Sequence, residues 1–177
     1  VAWGDANGSP RSDWPEAPLD APPEAAILPV ELRRNDFFRR RGQGDDVNGD
    51  FSALKELVTE FQEYDPVYGN SYPVREILIR TYQYLLARFD PDGFRIDTLK
   101  YVEPDFALEF GNDIREYALS IGKKNFFTFG EVYDNEDMIS KYIGRNATVS
   151  SDLVGVDAAL DFPLFFRLPD VVKGQLP

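Results

Sequence analysis

Two acidic residues at the ends of short apolar stretches are the strongest candidates for chemistry in this sequence. Asp97 follows the stretch 93–96, and Glu131 follows the stretch 126–130, so the two are 34 residues apart. This distance is about one strand–helix–strand repeat. If the strands are neighbours in a parallel sheet, the carboxylates lie on the same edge and about 4.8 Å apart laterally.

A carboxylate pair at such a separation can cleave a glycosidic bond. A retaining glycosidase needs about 5–5.5 Å between its nucleophile and its general acid, whereas an inverting enzyme needs a wider gap. Arg95 shares a strand face with Asp97 and would keep that carboxyl ionised. Glu131 follows Phe127 and Phe129, and apolar surroundings suit a proton donor.

The spacing of the pair leaves other interpretations open. An Asp at the end of a strand is often the cap of the next helix, and a Glu there is often an ion-pair partner. A magnesium site of the kind built at the edge of a barrel would use the same layout of carboxylates.

The elements that must position the pair alternate between helices and strands. Apolar residues at three- and four-residue spacing predict helices, and short apolar runs between turn residues predict strands. This order predicts an α/β fold with a parallel sheet, whose strand ends share the edge where sites are built. The predicted elements are a helix over 73–89, a strand over 94–97, a helix over 104–121, a strand over 126–132, a short helix over 136–143 and a strand over 156–162.

Residues 1–50 differ from the rest of the chain, which runs from 51 to 177. They are rich in Pro, Ala, Gly and charge, and show little periodicity, which predicts an irregular excursion. The stretch 31–42 is basic and aromatic, as in a nucleic-acid patch. Arginines that neutralise surplus carboxylates are the favoured interpretation, because the chain as a whole is acidic.

Residues 45–50 superficially resemble a calcium loop. An EF-hand beginning at Asp46 would need glycine where Phe51 stands and glutamate where Leu57 stands, so that pattern fails. Asp50 is predicted to cap a helix that carries Phe51, Leu54, Val58 and Phe61 on one face. A calcium ligand of another kind at Asp50 is the open alternative.

The composition excludes several classes of function. The 177 residues carry 19 basic and 31 acidic side chains, a net charge of −12, which argues against nucleic acid and anionic membranes. Histidine and cysteine are absent, so imidazole bases, Ser-His and Cys-His nucleophiles, thiolate metal sites and disulfides are excluded. We expect a soluble protein without a signal peptide or membrane span in this stretch, and a piece of a longer chain. The compartment and the oligomeric state are not indicated.

The residue types in two stretches are more specific evidence than the spacing of the two acidic residues. Residues 93–100, GFRIDTLK, resemble the strand-four motif of the alpha-amylase family (glycoside hydrolase family thirteen), in which the Asp is the covalent nucleophile. Residues 127–132, FTFGEV, resemble that family's strand-five motif, in which the Glu is the acid/base. The stretch 160–165 is similar to the segment around strand six, and 49–57 resembles the return from the family's B domain.

The resemblance covers about residues 30–168 and implies both a fold and an activity. The fold would be a partial (β/α)8 barrel, about strands four to six, with a B-domain-like excursion at 1–50. The activity would be retaining hydrolysis of α-linked glucosides of the starch or malto-oligosaccharide type. The chemistry would need no cofactor, although a structural calcium ion is possible at Asp50. The implied roles are nucleophile for Asp97, acid/base for Glu131, partner of the nucleophile for Arg95 and subsite lining for Lys100. Tyr101, Tyr133 and Phe165 are candidate sugar-stacking surfaces, with packing in the core or at the rim as the favoured interpretation of each.

The sequence departs from the family at three points. Tyr101 stands where the family commonly has histidine, so the subsite there is expected to differ. The strand-three and strand-seven motifs have no match, and the latter supplies the third carboxylate, so this stretch alone is expected to be inactive. The alternatives are a transglycosylase of the branching or sucrose-converting type, and a catalytically silent barrel used for binding.

Overall fold

The computed structural model describes residues 28–39, 56–144 and 154–175. The chain divides into two compact units, Val1–Leu85 and Leu86–Pro177. The predicted division between an excursion at 1–50 and a barrel at 51–177 stays a prediction.

Short elements build the described part of the first unit. Two 3-10 turns, Val30–Leu32 and Asn35–Phe37, precede strand β1 (Phe38–Arg39), which pairs antiparallel with β2 (Glu56–Leu57). A hairpin of β3 (Glu63–Asp65) and β4 (Gly69–Ser71) follows. The buried side chains that form the core of this unit are those of Leu32, Phe37, Phe38, Val74 and Ile77.

The prediction of a helix after Asp50 is wrong for Glu56 and Leu57, because these two residues form a strand. Pairing with β1 lets Leu57 pack against the core of the unit, and Phe61 packs against the same cluster from the loop that follows. These apolar residues thus gain from a strand and a loop the burial that an amphipathic helix would have provided. Asp50 itself lies outside the described residues.

The described arginine Arg34 supports the favoured interpretation of the basic stretch. Its guanidinium lies 2.8 Å from a carboxylate oxygen of Asp36 and 3.0 Å from one of Glu63. It also stacks 4.4 Å from the centre of the Phe37 ring. This side chain therefore neutralises nearby acids and covers an aromatic ring.

Helix α1 spans Pro73–Phe89, as predicted. Proline suits the first turn because its missing N–H has no partner to lose there. The chain leaves the helix at Asp90, whose backbone is in the left-handed region at φ 53°. This turn leads directly into the strand that carries Asp97.

A three-stranded parallel sheet organises the second unit, with β5 (Gly93–Ile96), β6 (Phe127–Gly130) and β7 (Ala158–Ala159) in that order. Helix α2 (Pro104–Ser120) joins β5 to β6, and the short helix α3 (Glu136–Ile139) lies between β6 and β7. Helix α4 (Phe162–Val172) follows β7. The alternation predicted from the sequence is therefore confirmed.

The third strand is shorter than the prediction of 156–162. Val156 makes only an isolated bridge to Ile143. At the other end, the Asp161 side chain accepts a hydrogen bond from the backbone N–H of Leu164 at 2.9 Å. This is the bond of a helix N-cap, so α4 begins where the sequence pattern still suggested a strand.

The apolar face of α2 supports the sheet. Phe106, Phe110, Ile114 and Ala118 are buried, as their spacing predicts, whereas Ile121 is 45% exposed, against the prediction. Ile121 lies one residue beyond the helix, where the backbone turns toward Gly122 at φ 89°. The helix therefore presents its apolar stripe inward and ends before Ile121 can join it.

Ion pairs and hydrogen bonds hold β6 just before the strand and within it. Before the strand, the Lys123 ammonium lies 2.6 Å from an Asp90 carboxylate oxygen and 3.5 Å from one of Asp92. Within the strand, the backbone N–H and the hydroxyl of Thr128 both donate to the same oxygen of Asp157, at 2.8 and 2.9 Å. Arg115 of α2 contacts the other oxygen of Asp157 at 3.1 Å.

Helix α4 has no buried residue. Six of its large apolar side chains are about half exposed or more, namely those of Leu164, Phe165, Phe166, Leu168, Val171 and Val172. None of the helices in the described residues combines the length and apolar character that a membrane span requires.

Candidate active site

The two carboxylates lie side by side at the carboxyl edge of the sheet. Ile96 and Gly130 are register partners in β5 and β6, so Asp97 and Glu131 are the next residues on neighbouring parallel strands. Backbone pairing continues past the strand ends. The N–H of Glu131 donates to the carbonyl of Ile96 at 2.8 Å, and the N–H of Leu99 donates to the carbonyl of Glu131 at 3.0 Å. The structure thus brings together the pair that the sequence singled out.

Arg95 bridges the two carboxylates. Its Nη2 donates to Glu131 Oε2 at 3.1 Å and lies 3.5 Å from Asp97 Oδ1. The sequence argument paired Arg95 with Asp97 alone and missed the shorter contact. Strand alternation could have suggested it, because Arg95 faces Phe129 in the register and Glu131 follows on the same side of β6.

The electrostatics of the pair separate the two groups. A hydrogen bond with the Glu131 carboxyl holds the pKa of Asp97 below its ordinary value, and the Arg95 charge and the Thr98 backbone N–H lower it further. The side chain of Asp97 is 67% exposed, whereas that of Glu131 is 26% exposed. Asp97 is therefore held as an anion, and it is the more accessible carboxylate of the pair.

Lys100 and Tyr133 meet beside the pair. Lys100 lies on a 3-10 turn, Leu99–Tyr101, directly after Asp97 and Thr98. Its ammonium donates to the backbone carbonyl of Tyr133 at 3.2 Å, and it lies 3.5 Å from a carboxylate oxygen of Asp134. It is also 5.5 Å from the centre of the Tyr101 ring. The predicted residues Lys100, Tyr101 and Tyr133 therefore belong to one neighbourhood.

Tyr142 contacts the backbone of the turn that carries Lys100, and the sequence argument did not identify this residue. Its hydroxyl lies 3.1 Å from the carbonyl of Lys100 and 3.0 Å from that of Val102. The side chain is 1% exposed. Burial, and after it the charges of Glu103 and Asp134, raises the pKa of the phenol to about 12, so the hydroxyl stays a donor.

A cavity of about 480 Å³ opens next to Tyr133. Tyr133 contacts Phe162 and Phe166 edge to face, with ring centres 4.7 and 5.1 Å apart, and it is 54% exposed. Phe166, rather than the predicted Phe165, contributes to the lining. The lining residues are Lys100, Tyr133, Asp134, Asn135, Pro163, Phe166 and Arg167. Asn135, Pro163 and Arg167 were missed, because no sequence spacing links the starts of α3 and α4 to the turn after β5.

No group of three or more acidic side chains is placed to hold a metal ion within residues 28–39, 56–144 and 154–175. The predicted ligand Asp50 lies outside these ranges. The arrangement at the sheet edge differs from a metal site, because two carboxylates there share one arginine. Such a pair suits proton transfer and nucleophilic attack.

No family model matches the chain. An alpha-amylase of Streptomyces lividans is 34% identical over 116 residues, which are 65% of this chain and 11% of that protein. A cyclomaltodextrin glucanotransferase of Klebsiella oxytoca is 33% identical over 100 residues, which are 53% of this chain and 15% of that protein. These similarities support the interpretation of the chain as a fragment of an alpha-amylase-family protein. The chain spans between about a tenth and a sixth of the length of these two curated relatives.

The fold resembles that of solved alpha-amylases. A solved alpha-amylase of Geobacillus thermoleovorans, in complex with acarbose, superposes with a TM-score of 0.56 at 24% identity. The match covers 78% of this chain and 28% of that one. The parallel sheet β5–β6–β7 with its crossover helices is therefore part of a (β/α)8 barrel, the fold class predicted from the sequence. Asp97 and Glu131 lie at the carboxyl ends of its strands, where barrel enzymes carry their sites.

Proposed function

We propose that the protein is a retaining glycoside hydrolase that acts on α-linked glucosides of the starch or malto-oligosaccharide type. The observation that carries the proposal is the position of Asp97 and Glu131 at the ends of register-paired neighbouring strands, with Arg95 in contact with both. Adjacent strands separate such a pair by about 4.8 Å, which is close to the spacing of a retaining pair.

The proposed reaction is a double displacement. Asp97 attacks the anomeric carbon while Glu131 gives its proton to the departing glycosidic oxygen, so the glycosyl group becomes esterified to Asp97. Glu131, now ionised, takes a proton from water, and the resulting hydroxide displaces Asp97 from the sugar. The low pKa of Asp97 supports its role as the attacking anion. The less exposed Glu131 suits the role of acid and base.

The cavity beside Tyr133 gives the leaving group a place in this scheme. Lys100, held by the Tyr133 carbonyl and by Asp134, would donate a hydrogen bond to a sugar hydroxyl. The exposed ring of Tyr133 offers an apolar face to a sugar ring. Tyr101 lies on the same turn as Lys100 but is not among the residues that line the cavity. We expect the 177-residue chain alone to be inactive, because the family's third carboxylate has no match in it.

A trapping experiment with the natural full-length protein tests the proposal. A fluorinated α-glucosyl reagent slows the second displacement, so the glycosyl-enzyme accumulates and can be located by peptide mass spectrometry. We expect the label on Asp97 and products that retain the α configuration. Asp134→Asn is the matched control, since it alters a nearby acid and should leave the label on Asp97. A label on another residue, or inversion at the anomeric carbon, would overturn the proposal.

Transfer to an acceptor sugar is the second candidate function. The relative from Klebsiella oxytoca is named as a glucanotransferase. The aromatic cavity lined by Tyr133 and Phe166 could hold an acceptor beside the glycosyl-enzyme. The ratio of transfer to hydrolysis products, measured as acceptor concentration rises, distinguishes the two. A silent barrel that only binds would show neither product and would take no label.

No cofactor enters the proposed chemistry. A structural calcium ion at Asp50 stays a proposal, since that residue lies outside the described ranges. Thermal unfolding of the full-length protein and of its Asp50→Asn variant, with calcium and with a chelator, tests it. A chelator effect that is the same in both proteins would contradict a role for Asp50.

A further inference from the structure

The turn that follows Asp97 makes one close contact with β6, between Leu99 and Gly130. Gly130, the register partner of Ile96, is buried directly beneath the side chain of Leu99. A methyl group at position 130 would overlap Cδ2 of Leu99 and would lie 3.3 Å from its Cβ and Cγ. Glycine is therefore required here by space, since its backbone is in an ordinary strand conformation.

Leu99 is also tied to the second carboxylate residue by its backbone. Its N–H donates to the carbonyl of Glu131 at 3.0 Å, while the N–H of Glu131 donates to Ile96 at 2.8 Å. Asp97 is thus enclosed by a closed path of backbone bonds that runs through Ile96, Glu131 and Leu99. The side chain of Leu99 lies over Gly130, directly beside these two bonds.

The residue between Asp97 and Leu99 takes an unusual conformation. Thr98 lies in the left-handed region, with φ 53° and ψ 33°, which a β-branched residue rarely adopts. Its backbone N–H is directed at the Asp97 carboxylate. A strained residue persists only when its surroundings hold it, and Leu99, which is 2% exposed, is the anchor on its carboxyl side.

We propose that Leu99 is a positioning residue that, by filling the space over Gly130, fixes the Asp97 carboxylate relative to Glu131. This inference rests on the proposed function, because it assigns the contact a role in the same carboxylate pair. Neither Leu99 nor Gly130 would contact the substrate. Their effect would be on the step that needs both carboxylates in place, and much less on substrate binding.

Complementation between the two positions tests the inference in the full-length protein. Gly130→Ala should force Leu99 aside and lower kcat, by up to about 10²-fold for a displacement near 1 Å, with little change in KM. Adding Leu99→Ala should give the new methyl group room and recover at least about tenfold of that loss. Wild-type kcat in Gly130→Ala, or a double variant no faster than Gly130→Ala, would overturn the inference.

Val156→Ala is the matched control for loss of packing. Val156 belongs to the same buried cluster as Leu99 and lies before β7, away from the two carboxylates. We expect Leu99→Ala to lower kcat well beyond Val156→Ala when both are compared at similar loss of thermal stability. Equal kcat in these two variants would show that Leu99 contributes only to core packing and would overturn the inference. This comparison decides the matter even where Gly130→Ala does not fold.

The trapping reagent keeps this inference separate from the proposed function. If the wild-type protein takes no label on Asp97, the proposed function fails. If the wild-type protein is labelled there and Gly130→Ala is labelled at the same rate, the function stands and the positioning role of Leu99 fails. The expected result is labelling of both at Asp97, with the variant slower.

Discussion

The guanidinium of Arg95 donates a hydrogen bond of 3.1 Å to the carboxylate of Glu131, across two neighbouring strands. The same nitrogen is 3.5 Å from Asp97, so one cation serves both acids. Because all three side chains are partly exposed, the stabilisation of the fold by this group is small. Its consequence is for the charge state of the pair.

Removing this cation should change the pH dependence of activity. Asp97 has a pKa below its ordinary value, first through the Glu131 hydrogen bond and then through Arg95. In Arg95→Met the second cause is lost, so the pKa of Asp97 rises and the acidic limb of kcat/KM moves to higher pH. Arg88→Met, at the end of α1, is the control and should leave the limb in place. An unmoved limb in Arg95→Met would contradict the assigned role.

Glu131→Gln should separate the two halves of acid/base catalysis. The amide cannot give a proton to the leaving oxygen, so kcat on a natural glucan should fall on the order of 10²–10⁴-fold. A substrate with fluoride as the leaving group needs little protonation, and its first step should lose much less. The exposed Glu136, in the first turn of α3, offers Glu136→Gln as a control. Equal losses on both substrates would argue against the acid role.

Tyr142→Phe should loosen the turn that carries Lys100. The variant keeps the buried ring and removes the hydroxyl that serves two carbonyls, which should cost about 1 kcal/mol of stability at neutral pH. It should also raise KM more than it lowers kcat, because Lys100 lies in the proposed subsite. Urea unfolding and steady-state kinetics measure both effects.

The same tyrosine should give stability a specific pH dependence. Its pKa is raised from 10.0 to about 12 in the folded chain, so between these values the unfolded chain holds fewer protons than the folded one. The free energy of unfolding therefore falls as pH rises, by up to about 2–3 kcal/mol for this group. Tyr142→Phe lacks this loss, so the advantage of the wild type over the variant should shrink above about pH 10. A constant difference would show that the phenol ionises alike in both states.

Thr128→Val should weaken the sheet without touching the chemistry. Thr128 is 3% exposed, and its hydroxyl donates to Asp157 at 2.9 Å. Valine has the same shape, so the loss is that of the hydrogen bond with one oxygen left short of a donor, about 1–3 kcal/mol. Side chains alternate along β6, so Thr128 faces away from Glu131. We expect a lower thermal midpoint with kcat of the folded protein unchanged, and a fall in kcat at equal stability would contradict this.

The parts of the fold that follow from local pattern were predictable from the sequence. Helix α1 has the predicted bounds, and α2, β5 and β6 each lie within a few residues of theirs. The meeting of Asp97 and Glu131 also followed, because a strand–helix–strand repeat places consecutive strand ends on one edge. Spacing alone was sufficient for these, since each depends on contacts within one repeat.

The remaining features depend on contacts that no local pattern encodes. The strand Glu56–Leu57 exists because β1 lies beside it, where the sequence favoured a helix. The contact of Leu99 with Gly130 requires the register of β5 and β6 and the left-handed Thr98 together. Tyr142 and Phe166 gave no signal, because an aromatic residue near a short helix usually serves packing alone.

The ammonium of Lys123, which joins Asp90 and Asp92 ahead of the sheet, sets a limit on how the length of this chain can vary. It links the segment before β6 to the segment before β5, whose pairing sets the register, and the carboxylates are at the opposite ends of the same strands. One residue inserted between Lys123 and Glu131 would turn Glu131 to the other face of the sheet. An insertion or deletion inside β5 or β6 would therefore separate the two carboxylates. We expect natural or designed changes of length only outside these two strands.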